Sequence, residues 1–128
     1  KHHRHSHYLI TNGGLRGFSA EEIQVIAAIA RFHKGAPPKG SQEELAELSP
    51  PARRQVVKLA AILRVADSLD RGHHGVVRGL KLGARNGKWE VRLDTDGRDA
   101  ELELWGARRK SELWERCFGS ELDFRVSP

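Results

Sequence analysis

The sequence predicts an α+β chain, with helices leading and a small sheet following. Two observations carry that prediction. Up to Gly72-His73-His74-Gly75, apolar residues recur every three or four positions, which is the period of a helix. Beyond that point they alternate, as in a half-buried strand, around Asn86-Gly87, a dipeptide suited to the positive φ angles of a two-residue hairpin turn.

Taken in order, residues 1–11 read as helix, stopped by the breaker Asn12-Gly13-Gly14. Ser19-x-x-Glu22 has the spacing of a capping box and starts a second helix. Ile23, Ile26, Ala27, Ile29 and Ala30 form its apolar stripe, which His33 continues. The loop Gly35-Ala36-Pro37-Pro38-Lys39-Gly40 ends it. Ser41-x-x-Glu44 is a second capping box, for a short helix through Leu48. Pro51 then opens the longest helix, to Arg71, with Val56, Leu59, Ile62, Leu63, Val65, Ala66 and Leu69 as its core face.

Val77, Leu80 and Leu82 read as one strand and Trp89, Val91 and Leu93 as its hairpin partner. After Asp94-Thr95-Asp96-Gly97, Leu102 and Leu104 suggest a third strand. Residues 106–118 read as an amphipathic helix with Leu113, Trp114 and Cys117 inward, closed by Gly119. Leu122, Phe124 and Val126 make a last strand. The second lobe is thus expected to be a small antiparallel β-β-β-α-β unit, and the domains to span 1–72 and 76–128.

At 128 residues the chain suits one domain or two small lobes. No apolar run approaches the roughly 20 residues that span a bilayer, so no membrane role is expected. Its one cysteine, Cys117, excludes an internal disulfide and fits a cytoplasmic location. With 22 Lys and Arg against 17 Asp and Glu the chain carries a formal charge of +5, which suits an anionic partner. A nucleic acid ranks last among such partners, because no reader motif is present.

Three features carry candidate chemistry. His2, His3, His5 and His7 crowd the first seven residues. Interrupted by Arg4 and Ser6 and running into Tyr8-Leu9-Ile10, they read as part of the fold rather than as a purification tag. His33 ends an apolar stripe, either as a hydrogen-bonded core histidine or as a ligand. Asp67 borders the apolar face of the longest helix, where a lone carboxylate is costly. Arg64 or Arg71, one turn away, can neutralise it, and so can a metal or a metal-bound imidazole. His73 and His74 sit in a Gly-flanked linker and read as solvent-exposed. Gly13-Gly14-x-x-Gly17 lacks the preceding strand that a phosphate-binding loop needs.

The strings His3-Arg4-His5-Ser6-His7-Tyr8-Leu9-Ile10-Thr11-Asn12, Leu15-Arg16-Gly17-Phe18-Ser19, Ala30-Arg31-Phe32-His33-Lys34 and Leu59-Ala60-Ala61-Ile62-Leu63-Arg64-Val65-Ala66-Asp67-Ser68-Leu69-Asp70-Arg71 resemble, in that order, the C-terminal half of the exopolyphosphatase / guanosine pentaphosphate phosphatase family. The resemblance implies a helical HD-phosphohydrolase-like lobe and a small α/β lobe, with the phosphatase chemistry in an actin-like region upstream. Carried over by residue, the late Asp of the HD metal site falls on Asp67, one His on His33, and another on His3 or His5. The early His and the His-Asp doublet of that site have no counterpart here, so only a partial shell and a weakly held Mg²⁺ or Mn²⁺ are expected, with no cofactor required.

The resemblance implies a polyphosphate-binding and assembly region, partnered by the actin-like domains and capable of dimerising, and inactive alone although its parent is a hydrolase. Arg31, Lys34, Lys39, Arg53, Arg54, Arg64 and Arg71 are the candidate contacts to inorganic polyphosphate. The alternative is a metal-dependent HD-type phosphohydrolase acting on guanosine polyphosphates or other nucleotides.

Overall fold

The structure, a computed structural model, describes residues 2–39 and 42–128. The elements run α1 (His2–Asn12), α2 (Ala20–Phe32), α3 (Glu43–Ala46), α4 (Pro50–Ser68), β1 (Gly79–Arg85), β2 (Lys88–Asp94), α5 (Glu101–Lys110), α6 (Glu112–Phe118) and β3 (Leu122–Val126). The class is α+β, with helices first, as the change of period predicts. The chain divides into two compact units, Lys1–Leu63 and Arg64–Pro128, with the boundary inside α4.

In the first unit, α1 stops at Asn12, where Gly14 takes a positive φ of 65°. The capping box at Ser19 is formed: its hydroxyl accepts from the Glu22 amide at 3.1 Å and the Glu22 carboxylate accepts from the Ser19 amide at 2.7 Å. The box expected at Ser41 lies outside the described residues, and Gln42, the residue before α3, makes no side-chain cap bond. Ser49 serves α4 by accepting from the Ala52 amide at 3.3 Å.

Val25, Ala28, Phe32, Leu45, Leu48, Ala52, Val56 and Ala60 make the first core. The expected stripe of α2 is therefore met only in part: Ala27 is buried, but Val25, Ala28 and Phe32 join it, and Ile29 lies at the border. Residues 25–30 are apolar almost all round except for their size, so period alone does not choose the face. On α4 and at Leu69 just after it, the expected face is met in part: Val56, Val65 and Leu69 are buried, but Ala52 and Ala60 join them while Leu59, Ile62 and Leu63 remain 39%, 44% and 37% exposed. Apolarity by itself does not distinguish the buried alanines from the exposed leucines.

The second unit holds the sheet, in the order β1-β2-β3. Asn86 and Gly87 both take positive φ, 53° and 76°, closing the β1–β2 hairpin as their chemistry allows. The strand expected at Leu102 and Leu104 is instead the start of α5. Glu-Leu-Glu-Leu-Trp alternates for five residues, but Leu102 is exposed and Glu103 buried, the reverse of a strand with leucines inward. Glu101 and Glu103 in the first turn and Arg108, Arg109 and Lys110 in the last complement the helix dipole. Because α5 and α6 return the chain to the same end of the sheet, β3 runs parallel to β2, so the sheet is mixed rather than antiparallel. Its inner face carries Val91, Leu93 and Phe124, packed with Val65, Leu69 and Ala107. Among the described residues no helix is long and apolar enough to cross a membrane.

Candidate functional site

The histidines of α1 divide by helix face. His3 and His7 are partly buried, whereas His5 is exposed on the opposite side, two residues and about 200° of helix rotation from His3. His3 and His5 therefore cannot serve one site together. The residue that meets His33 is His2: their ring centroids lie 5.6 Å apart, and His2 and His3 lie 5.8 Å apart. His33 Nδ1 bonds the Ala30 carbonyl. A carbonyl only accepts, so Nδ1 carries the proton and Nε2 is the ring's free lone pair when the imidazole is neutral. Burial, and next the Arg31 charge, hold the His3 imidazole below the ordinary histidine pKa, favouring its neutral form. Asp67 belongs to the other unit. Among the described residues no group of three or more His, Cys, Asp or Glu side chains is placed to hold a metal.

The seven cations expected to hold an anion have different fates. Arg31 is buried, its Nε 3.2 Å from Glu44 Oε1 and its guanidinium 5.0 Å over the Phe32 ring. Arg53 is bound to backbone: its Nε donates to the Leu45 and Leu48 carbonyls at 3.0 and 2.9 Å, and its Nη2 to the Ala46 carbonyl at 3.0 Å. Arg64 is buried, and that burial lowers its pKa, Arg116 reinforcing the shift and Glu112 opposing it. Arg71 lies over the Trp105 ring, which Arg109 also covers, at 5.9 and 4.7 Å. Lys34 is half-buried, while Lys39 and Arg54 are exposed. Arg54 lines a surface hollow of about 440 Å³ with Lys58, one turn further along α4. The sequence reading missed Lys58, although its i+4 spacing from Arg54 was available.

The reading also passed over the polar face of the sheet. Lys81 and Arg85 on β1, Lys88 and Arg92 on β2, and Arg125 on β3 all lie on it, by the two-residue alternation of strands. At its centre Glu90 is buried, 2.6 Å from Arg92 Nε, 3.5 Å from Arg125 Nε and 3.7 Å from Arg85 Nη1. The Arg92 hydrogen bond, with the charges of Arg92, Arg125 and Arg85, holds the Glu90 carboxyl below the usual carboxylate range against the opposing effect of burial. The signal for this face was present in Lys81-x-Gly83-x-Arg85 and Lys88-x-Glu90-x-Arg92.

The description of the family Ppx/GppA phosphatase, domain III, matches residues 1–106. The chain therefore belongs to the Ppx/GppA phosphatase domain III family. No curated protein matches it.

Proposed function

We propose that this chain is the polyphosphate-binding and assembly region of a Ppx/GppA-family phosphatase, with the hydrolytic chemistry on an actin-like region outside residues 1–128. The observation that carries the reading is the pair Arg54 and Lys58, side by side on the wall of one hollow and on the exposed face of α4. With Lys39, they offer cations not consumed by the core, unlike Arg31, Arg53 and Arg64. A polyanion held this way binds through fixed charges, so its affinity falls steeply with salt. The exposed leucines and isoleucine of α4 support the assembly role: Leu59, Ile62 and Leu63 form an apolar strip that another domain or a second copy would cover.

The test is titration of the chain with long-chain inorganic polyphosphate at several salt concentrations. Arg54→Ala with Lys58→Ala should weaken binding and flatten the salt dependence. Unchanged affinity in the double variant removes the helical contact site. A second reading is a metal-dependent HD-type phosphohydrolase acting on guanosine polyphosphates, which would need ligands beyond His2, His3 and His33, since among the described residues no group of three is placed to hold a metal. Tight Mn²⁺ binding lost on His33→Ala, together with phosphate release from such a nucleotide, would replace the first reading with the second.

A further inference from the structure

We infer that the polar face of the three-stranded sheet is a binding site for a small anion with adjacent phosphate groups, held by Arg85, Arg92 and Arg125. The register carries the argument. Lys81 stands opposite Arg92, and Arg92 opposite Arg125, so three cations lie in one row across three strands. Like charges directly opposite destabilise a sheet. One buried carboxylate, Glu90, sits in the next row and offsets the repulsion only in part.

The hydrogen-bonding inventory shows what remains unused. Arg92 reaches Glu90 through Nε, and Arg125 reaches Asp123 through Nε at 3.1 Å. A guanidinium has five N–H donors in a planar fork, and the fork's outer pair matches two phosphate oxygens. Among the described residues, the terminal nitrogens of Arg92 and Arg125 have no hydrogen-bond acceptor. Arg85 is 3.7 Å from Glu90, beyond hydrogen-bond reach. The three side chains are 58%, 55% and 54% exposed in the order Arg85, Arg92, Arg125, so a solute can reach them.

The face is also shaped to admit a ligand. Arg85, Asn86, Lys88, Glu90, Asp123 and Arg125 line a hollow of about 220 Å³. Gly79 and Gly83 project no side chain from β1 on this face, and a Cβ at either would meet nothing within 4 Å. The carboxylates must be weighed against this. Lys88 is taken by Glu121 at 3.0 Å, and Asp94 by Arg78 at 3.2 Å. That leaves Lys81, Arg85, Arg92 and Arg125 against Glu90 and Asp123, a surplus of two positive charges. A single carboxylate ligand would add little to such a face. A chain of phosphates supplies several charges to arginines on neighbouring strands. This site is independent of the helical contacts of α4, and each can fail without the other.

Calorimetric titration of the whole chain with inorganic tripolyphosphate at low salt tests the inference, with ATP as a second arm presenting the same three phosphates on a nucleoside. Arg92→Gln with Arg125→Gln should weaken tripolyphosphate binding by at least about tenfold, since charge-assisted bonds are lost. Glu90→Gln should tighten it several-fold, because the competing negative charge is gone while the amide oxygen still accepts from Arg92. A gain of affinity cannot come from misfolding. Equal loss of ATP binding in the double variant also supports the site, through the shared triphosphate. In Arg54→Ala with Lys58→Ala, the tripolyphosphate binding that depends on Arg92 and Arg125 should persist. Wild-type affinity in the Arg92/Arg125 variant, or weaker binding in Glu90→Gln, overturns the inference. Loss of tripolyphosphate binding in the Arg54/Lys58 variant alone overturns it too, and leaves the helical reading standing.

Discussion

Arg53 offers the sharpest test of whether a cation on α4 serves the fold or a ligand. Its guanidinium spans the end of α3 and the turn after it, reaching the Leu45, Ala46 and Leu48 carbonyls. Carbonyls at a helix end lack intrahelical partners, and two of these belong to residues fixed in the first core. Truncation to alanine leaves the Ala46 and Leu48 carbonyls to find water or remain unpaired, while the Leu45 carbonyl keeps the Leu48 amide at 3.2 Å. The Nε–H is shared between two acceptors, so the contacts amount to about two charge-assisted bonds, each worth roughly 1.5–3 kcal/mol where water is excluded. Partial replacement by water at the exposed Ala46 side brings the expected loss for Arg53→Ala to about 2–3 kcal/mol. At about 3–5 °C per kcal/mol for a chain of this size, that is a fall in Tm of roughly 6–15 °C. Urea and thermal melts followed by circular dichroism measure it. Arg54→Ala, exposed and one residue away, should stay within about 0.5 kcal/mol of the parent. Arg53→Lys should recover only part of the loss, since an ammonium cannot span the three acceptors as a fork does. Equal stability of Arg53→Ala and Arg54→Ala would refute the reasoning and return Arg53 to the pool of free cations.

Three further expectations follow from the same geometry. Phe32→Ala, at a fully buried position of the first core, should cost about 3–5 kcal/mol in a urea melt. Ser19→Ala removes one half of the capping box and should cost about 1 kcal/mol, while Ser19→Asp retains most of the stability. The sheet should lose stability in acid: the folded Glu90 carboxyl has a pKa below its unfolded value, so its contribution is present above about pH 4 and disappears as pH falls through the lowered folded value. Tryptophan fluorescence melts across pH 2–6, judged against this window, should show that dependence shrink in Glu90→Gln; an unaltered acid profile would remove Glu90 from the account.

What the sequence discloses depends on whether the signal is local. The Ser19 capping box and the Asn86-Gly87 turn are settled by residues within three or four positions, and both form as their chemistry dictates. The faces of α2 and α4 are not local properties. Ala28 and Ala60 are buried in the first core with Phe32, Leu45 and Val56, and nothing in the spacing of the larger residues announces their burial. Leu102 and Leu104 mislead for a related reason: alternation over five residues fits a strand or a helix start, and only the whole segment to Lys110 separates them. The candidate cations show the same limit. Charge and spacing bring Arg31, Arg53 and Arg64 forward, yet Glu44, three carbonyls and burial claim them. The two-residue rhythm of Lys81, Arg85, Lys88, Arg92 and Arg125 was legible, but its meaning depends on a register that brings β3 in from residues far along the chain.

That late arrival of β3 orders the events by which the second unit is made. The β1–β2 hairpin closes across two residues, an event on the order of 1–10 μs. β3 reaches β2 only after residues 95–121 have folded back through α5 and α6, so the entropy of closing that loop is incurred before any ladder bond rewards it. Until then Val91 and Leu93 have a wet neighbour where Phe124 will sit. In the folded unit the last strand covers the β2 edge of the hairpin. A chain shortened by residues 122–128 would lose the partner of its central strand rather than a dispensable tail, and its exposed β2 edge would become a template for pairing with other molecules.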